Sequence, residues 1–398
     1  MSIYNAAVGT KVATSAAVTK KLWDSLTHEQ VMDSVYFKRF TADDTGNEAT
    51  LSEQKKAAMP IMRKTQLGKE GGDQIRMTLV KQLTGGGSSI ENAGQVADDE
   101  LIENEESIAF SNIDVRIENW RHAVGVRGRM TNQRTPFQVR SKATRALSNL
   151  GALFHDASMF FTFYVGCSPH LLRSGIYTTS STGIGAHPNS YMTTATDPVA
   201  ADLDSMAADA TPFNAGTLDW LGQYVAENNI NPVIVDGQPK YIVIVSPSQA
   251  RTLRADQDWQ DAMLHVAEKG KENPIFSGAL GEYNGFVVHK HNKIWTGARA
   301  DFDNLAVTSK AIVFSDITNE NAIADADVHG AILMGAHSVA LAQGGGVYQE
   351  RRKEDDYGNI KGYSLGHIFG AKRADWENAA RDGVWSNQSS AVIWTNQG

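Results

Sequence analysis

Asp73-Gln74-Ile75-Arg76-Met77-Thr78-Leu79-Val80-Lys81-Gln82-Leu83 and Ser107-Ile108-Ala109-Phe110-Ser111-Asn112-Ile113-Asp114-Val115-Arg116-Ile117 are two alternating limbs joined by a glycine-rich tip. The outgoing limb puts Ile75, Met77 and Leu79 on one face and polar residues on the other, which is the period of a strand. At about 3.3 Å per residue it reaches roughly 36 Å. The return limb changes parity, with Ile108 and Phe110 even and Ile113, Val115 and Ile117 odd. Such a switch reads as a bulge or a change of partner face. The connection, Gly85-Gly86-Gly87-Ser88-Ser89 through Asp98-Asp99-Glu100, is flexible by composition. A hairpin this long is marginal alone in water, so it requires cover from another part of the chain or from another copy.

Around the hairpin the chain alternates between helix and strand signals. Before it, Leu22, Trp23, Leu26 and Val31 give near-helical spacing within an arm, and Asp43-Asp44-Thr45-Gly46-Asn47 is a turn cluster. After it, Thr135 and Pro136 form a cap-plus-proline start to a helix. Val139, Ala143, Ala146, Leu147, Leu150, Leu153, Phe154, Ala157, Phe160, Phe161 and Tyr164 give that helix one apolar stripe. Arg140, Lys142, Arg145, Ser148 and Asp156 fall opposite. Residues 168–210, rich in small and polar side chains, read as an excursion.

A second unit follows. A helix begins near Thr217, Tyr241-Ile242-Val243-Ile244-Val245 is a buried-type strand, and Ser246-Pro247 starts another helix. Another helix lies around Trp259–Val266, Asn284-Gly285 turns into Phe286-Val287-Val288, and Ala311–Phe314 reads as a strand. The small residues between Ala331 and Ala342 imply close packing. Tyr357-Gly358-Asn359 turns into a last strand, Ile360–Phe369. Strands alternating with helices place this unit in the α/β or α+β class.

Composition narrows the function. With 398 residues, 41% of them apolar and 21% charged, the chain can bury a sizeable core of one to three domains. Its apolar runs are too short for a membrane span, and Met1-Ser2-Ile3-Tyr4-Asn5 carries no signal pattern. The single cysteine, Cys167, excludes an internal disulfide framework; it reads as a small core residue at a helix end. A net charge of −8 disfavours a dedicated nucleic-acid binder but permits a container that surrounds nucleic acid without gripping it.

Catalytic and metal patterns are weak. Gly362-Tyr363-Ser364-Leu365-Gly366 matches the nucleophile-elbow pattern, with Asp375 as an available acid, but His367 is the last histidine and sits almost beside the serine. The two glycines read better as relief of crowding in a twisted strand. His289 and His291 share a strand face without further ligands, and a solvated face is the simpler reading. Asp316, Asp325 and Asp327 lack the glycine and terminal glutamate of an EF-hand loop. The glycine-rich tip has no lysine for a phosphate loop. Trp120 and Arg121 at the hairpin base suit a protein contact or, equally, a staple to the long helix. Arg351 and Arg352 open a mixed-charge turn that in a shell would pair with a symmetry mate.

The order of these pieces resembles the major capsid proteins of tailed double-stranded DNA phages, the Hong Kong 97 capsid fold. The segments that carry the resemblance are Tyr241–Pro247, Gly278–Val288, Gly335–Ala342 and Asp356–Asn359 with Gly366–Gly370. It implies an α+β fold with an arm and short helices (1–67), an extended hairpin loop (68–130), and a peripheral domain (131–210) holding a spine helix (136–165). An axial domain (211–345), a returning strand of the peripheral domain (346–375) and a C-terminal tail (376–398) complete it. The resemblance also implies a structural protein, not an enzyme, without catalytic, cofactor or metal residues. Its copies would assemble as hexamers and pentamers into an icosahedral shell around double-stranded DNA, without sequence-specific binding and without a membrane. Assembly would take place in the host bacterial cytoplasm and the protein would reside in the virion. The arm is short for a built-in scaffold, so separate scaffold and cement or decoration proteins are candidate partners. Ile75, Met77, Leu79, Gly85, Gly86, Gly87, Ile108, Phe110, Trp120, Arg121, Arg351 and Arg352 are the expected inter-subunit contacts. An encapsulin-like cargo shell and a hydrolase using Ser364 are the rival readings.

Overall fold

The computed structural model describes residues 31–43, 59–65, 72–80, 110–126, 133, 139–177, 187–194, 198–200, 211–228, 230–235, 238–267, 279–295, 328–352, 361–377, 385–386 and 389–396. Two sheets dominate them. The first contains β1 (Thr41–Asp43), β2 (Ile61–Lys64), β5 (Glu118–Val126), β13 (Val339–Gln343), β14 (Tyr348–Arg351) and β15 (Lys361–Arg373). The second contains β6 (Ser190–Met192), β7 (Val199–Ala200), β8 (Val233–Val235), β9 (Gln238–Val245), β10 (Ala279–Tyr283), β11 (Phe286–Lys290), β12 (Val328–Met334) and β18 (Ser390–Asn396). The ribbon β3 (Gln74–Val80) with β4 (Phe110–Arg116) stands apart, as does the short pair β16 (Trp376–Glu377) with β17 (Trp385–Ser386).

The long helix α1 (Val139–Val165) is about 40 Å long at 1.5 Å per residue. Its first half is amphipathic: Ala143 and Leu147 are buried while Lys142 and Arg145 are exposed. From Phe154 onward it is buried all round. That corrects the single-stripe expectation, because Ser148 and Asp156 are buried and Leu153 is 48% exposed. The cause is placement. Phe160, Phe161, Phe163 and Tyr164 join one core with Ile61, Leu341 and Phe369 of the first sheet and Ile244, Ile332 and Trp394 of the second. A helix enclosed by two sheets has no solvent face left. The predicted cap at Thr135 and Pro136 lies outside the described residues.

Burial of Asp156 has a purpose. Its Oδ1 accepts from the amides of Tyr36 (2.9 Å) and Phe37 (3.4 Å), satisfying the start of the 3-10 helix Tyr36–Phe40 and tying the arm to α1. Burial pushes the carboxyl up to about 6, partly opposed by those two amides. Between about pH 4 and 6 the native state therefore holds a proton that the unfolded chain has released, so stability falls as pH rises through that window. Asp156→Asn should remove this component, a difference of roughly 2 kcal/mol across the window. Urea unfolding at pH 4 and 6.5 checks it, and equal pH dependence in both proteins would refute it.

The second sheet bears out the strand at 241–245 and its following helix. Ser246 and Gln249 form a reciprocal capping box ahead of α4 (Pro247–Ala255). The Asn284-Gly285 turn, with φ of 47° and 80°, joins β10 to β11. The order of helices is α1, the short α2 (Pro169–Arg173), α3 (Ala215–Glu227), α4 and α5 (Gln257–Ala267). Two segments differ from expectation. Ser390–Asn396, expected in a tail, is β18, buried between β12 and β6. Ser190–Met192, expected in an excursion, pairs with it. The small-residue stretch 331–342 crosses from β12 in the second sheet to β13 in the first. At the crossing a Cβ on Gly335 would meet Asn231 O at 2.3 Å, so only glycine fits. The strand expected at 311–314, the helical spacing of Leu22, Trp23 and Leu26 and the acidic trio lie outside the described residues.

Candidate functional site

The root of the hairpin is built by four contacts. Ile75, Ile113 and Val115 bury against Ala340, Ala342 and Ala374, with Met77 half-buried beside them. Arg76 and Asp114, opposite each other in the ribbon, form a two-point ion pair of 2.8 and 3.0 Å. That guanidinium holds the Asp114 carboxyl below its usual range. The Tyr177 hydroxyl donates to Asp114 O (3.0 Å) and accepts from Arg116 N (3.1 Å). Finally, the chain at Arg116 crosses β15 so closely that a Cβ on Gly370 would sit 1.9 Å from Arg116 O. Gly370→Ala should therefore displace the ribbon root and cost more than about 3 kcal/mol. Thermal unfolding checks this, and an unchanged midpoint would mean that the crossing yields easily.

Register corrects the parity reading. β3 and β4 pair without a shift from Gln74↔Arg116 to Val80↔Phe110, so no bulge interrupts the described ribbon. The change of partner comes at Ile117, whose amide still bonds Asp73 O at 2.9 Å. From Glu118 on the chain pairs with β15 instead.

The expected contact residues separate into groups. Ile75 and Met77 pack within their own chain, because the first sheet supplies the cover. Leu79 and Phe110 lie in the ribbon, with side chains outside the described residues, as are Gly85, Gly86, Gly87 and Ile108 entirely. Trp120 stacks on Phe154 at 4.3 Å and 10° between ring planes, a staple to α1. Arg121 beside it is exposed, as are Arg351 and Arg352 at the end of β14. An open cleft of about 900 Å³ runs along Glu118–Ala123 and is floored by Leu150, Phe154 and Pro169, with Arg173 at its rim.

The nucleophile-elbow pattern lacks its geometry. Ser364 lies in the middle of β15 and donates to Glu350 O at 3.2 Å. His367 bonds His155 at 2.6 Å, and Asp375 bonds Arg373. A Cβ on Gly366 would meet the Tyr348 ring at 2.4 Å, so the glycine relieves crowding, as read from the sequence. The histidine face of β11 is corrected: it is not solvated. His289 is buried against Phe40 and His291 lies 4.4 Å from the Tyr36 ring, where burial pushes it down to about 4. Among the described residues no group of three or more His, Cys, Asp or Glu could hold a metal. Cys167 is fully buried just beyond α1, and burial pushes its thiol up to about 12.

Sequence reading missed Arg373. Its side chain is 1% exposed, paired with Asp375 at 2.7 Å, and donates to the carbonyls of Phe163 (2.8 Å) and Tyr164 (3.1 Å) at the end of α1. Its position at the end of a β-strand gave no sign of burial.

Comparison with known proteins gives one family throughout. The family described as phage capsid protein matches residues 23–391. The major capsid protein of Pseudomonas phage KPP25 is 23% identical over 348 residues, covering 79% of this chain and 81% of that one. The capsid of Ralstonia phage GP4 superposes with a TM-score of 0.60 at 22% identity over 91% of each chain. The capsid of Helicobacter pylori bacteriophage KHP30 gives 0.61 at 13% identity over 92% of each. These likenesses show the α+β fold of the Hong Kong 97 capsid type.

Proposed function

The chain belongs to the phage capsid protein family, and from that premise we infer that it is the major capsid protein of a tailed phage and has no catalytic role. Copies associate as hexamers and pentamers into an icosahedral shell that encloses double-stranded DNA, assembled in the host bacterial cytoplasm and retained in the virion. The observation that carries this reading is the hairpin root. A ribbon packed on its own chain through Ile75, Ile113 and Val115, its two strands braced by the Arg76–Asp114 pair, holds a constant direction, as an arm laid over a neighbour must. Many weak contacts repeated around a closed shell then suffice for stability. The negative net charge suits a lining that does not grip DNA.

Sedimentation and negative-stain microscopy of the expressed chain, together with its partner head proteins, test the reading. Closed particles hundreds of ångströms across are expected. A small stable oligomer that hydrolyses esters only with Ser364 intact would overturn it, and a packaged protein in place of DNA would point to the encapsulin-like rival.

A further inference from the structure

The cleft beside β5 follows a free sheet edge. Among the described residues β5 pairs with β15 alone. The Ile117 amide turns to Asp73, and the Asn119 amide is taken by the Glu118 carboxylate at 2.8 Å. By alternation, the odd-numbered amides of β5 face away from β15, so those of Arg121 and Ala123 point to the open side. An edge that no described strand covers is a template for another strand, and proteins do not leave such edges uncovered without cost. Glu118 already shows which chemistry suits it: a carboxylate oxygen on an edge amide. The rim adds exposed Arg121, His122 and Arg173.

The same chain carries the complement. Between Gln82 and Phe110 lie seven acidic residues, Glu91 through Glu106, and no lysine, arginine or histidine. That stretch supplies all but one unit of the net charge of −8. The other candidate segment, residues 1–30, has three lysines against two acidic residues and lacks this complementarity. We propose that the free edge of β5 receives the acidic stretch Glu91–Glu106 of a second copy's hairpin as an added strand, with Arg121 and Arg173 pairing its carboxylates. This rests on the shell reading above and adds the acceptor surface and its chemistry. The aromatic floor of Trp120 and Phe154 excludes water beneath the added strand, and the two arginines fix its register.

The test uses assembled particles. Ala123→Cys can be labelled selectively with a photo-crosslinker, because the native Cys167 is buried. Particles built from mixed isotope-labelled and unlabelled copies should yield cross-links from position 123 to peptides within 91–106 of the other isotope. Arg121→Glu with Arg173→Glu should lower that yield about tenfold, and Asp98→Lys, Asp99→Lys and Glu100→Lys on the hairpin should restore it. Normal particles whose cross-links map to residues 1–30, to another protein or to the same copy would overturn this inference and leave the shell reading standing. Failure of the unmodified chain to form particles would overturn both.

Discussion

Removal of Gly85 through Glu100 is expected to leave a folded, monodisperse subunit that fails to build closed particles. The contacts that hold the fold lie elsewhere. Ile75, Ile113 and Val115 are buried on the chain's own alanines, Tyr177 and the Arg76–Asp114 pair lock the root, and β5 is stapled to α1 through Trp120 and Phe154. The deletion touches none of these, so the unfolding midpoint should change little, within about 0.5 kcal/mol. What it removes is the acidic reach toward a neighbour. In a shell that loss recurs at every copy, so a modest defect per contact becomes complete failure of closure. Analytical ultracentrifugation with circular dichroism separates the outcomes. Normal particles from the deleted chain would mean that the hairpin is not the clasp, and an unfolded subunit would mean that its tip serves the fold.

Arg373→Met is expected to cost about 3–5 kcal/mol, because it takes the paired guanidinium away from a carboxylate that is itself 1% exposed. That is a large share of a typical domain stability of about 5–15 kcal/mol. The loss has a second source. The guanidinium caps the Phe163 and Tyr164 carbonyls, so the end of α1 loses a cation suited to its dipole. Replacing both partners, Arg373→Met with Asp375→Leu, should recover much of the loss, since an apolar pair leaves no buried charge behind. Chemical unfolding of the two single variants and the double measures the coupling. Additive losses would show that the two side chains are energetically independent despite their 2.7 Å contact.

Elements with local signals were readable from sequence. The Asn284-Gly285 turn demands positive φ, Ser246 and Pro247 carry a helix start in four residues, and alternation at 74–80 and 110–116 needs no knowledge of the rest of the chain. The failures share a cause in long-range pairing. Ala391–Trp394 is a four-residue apolar run whose neighbours in space, Gly330–Leu333 and Ser190–Met192, lie some 60 and 200 residues earlier. Asp156 looked solvent-facing because helical periodicity cannot report that the arm closes over the helix at Tyr36 and Phe37. Arg373 drew no notice because charge alone does not reveal a partner in the core. The cleft along β5 depends on which edge of β15 is occupied, and only three-dimensional pairing decides that.

The place of β18 bears on timing during synthesis. The second sheet has β12 and β6 in hand long before residue 390 is made, yet the strand that must lie between them is still missing. A nascent chain, or one stopped early by a damaged message, therefore carries an unfilled slot at the centre of that sheet and cannot present a finished lattice surface. Completion of that sheet thus waits on a strand made after all its other members. A chain truncated before residue 390 is therefore expected to lack the strand that joins β12 to β6 and to stay out of particles.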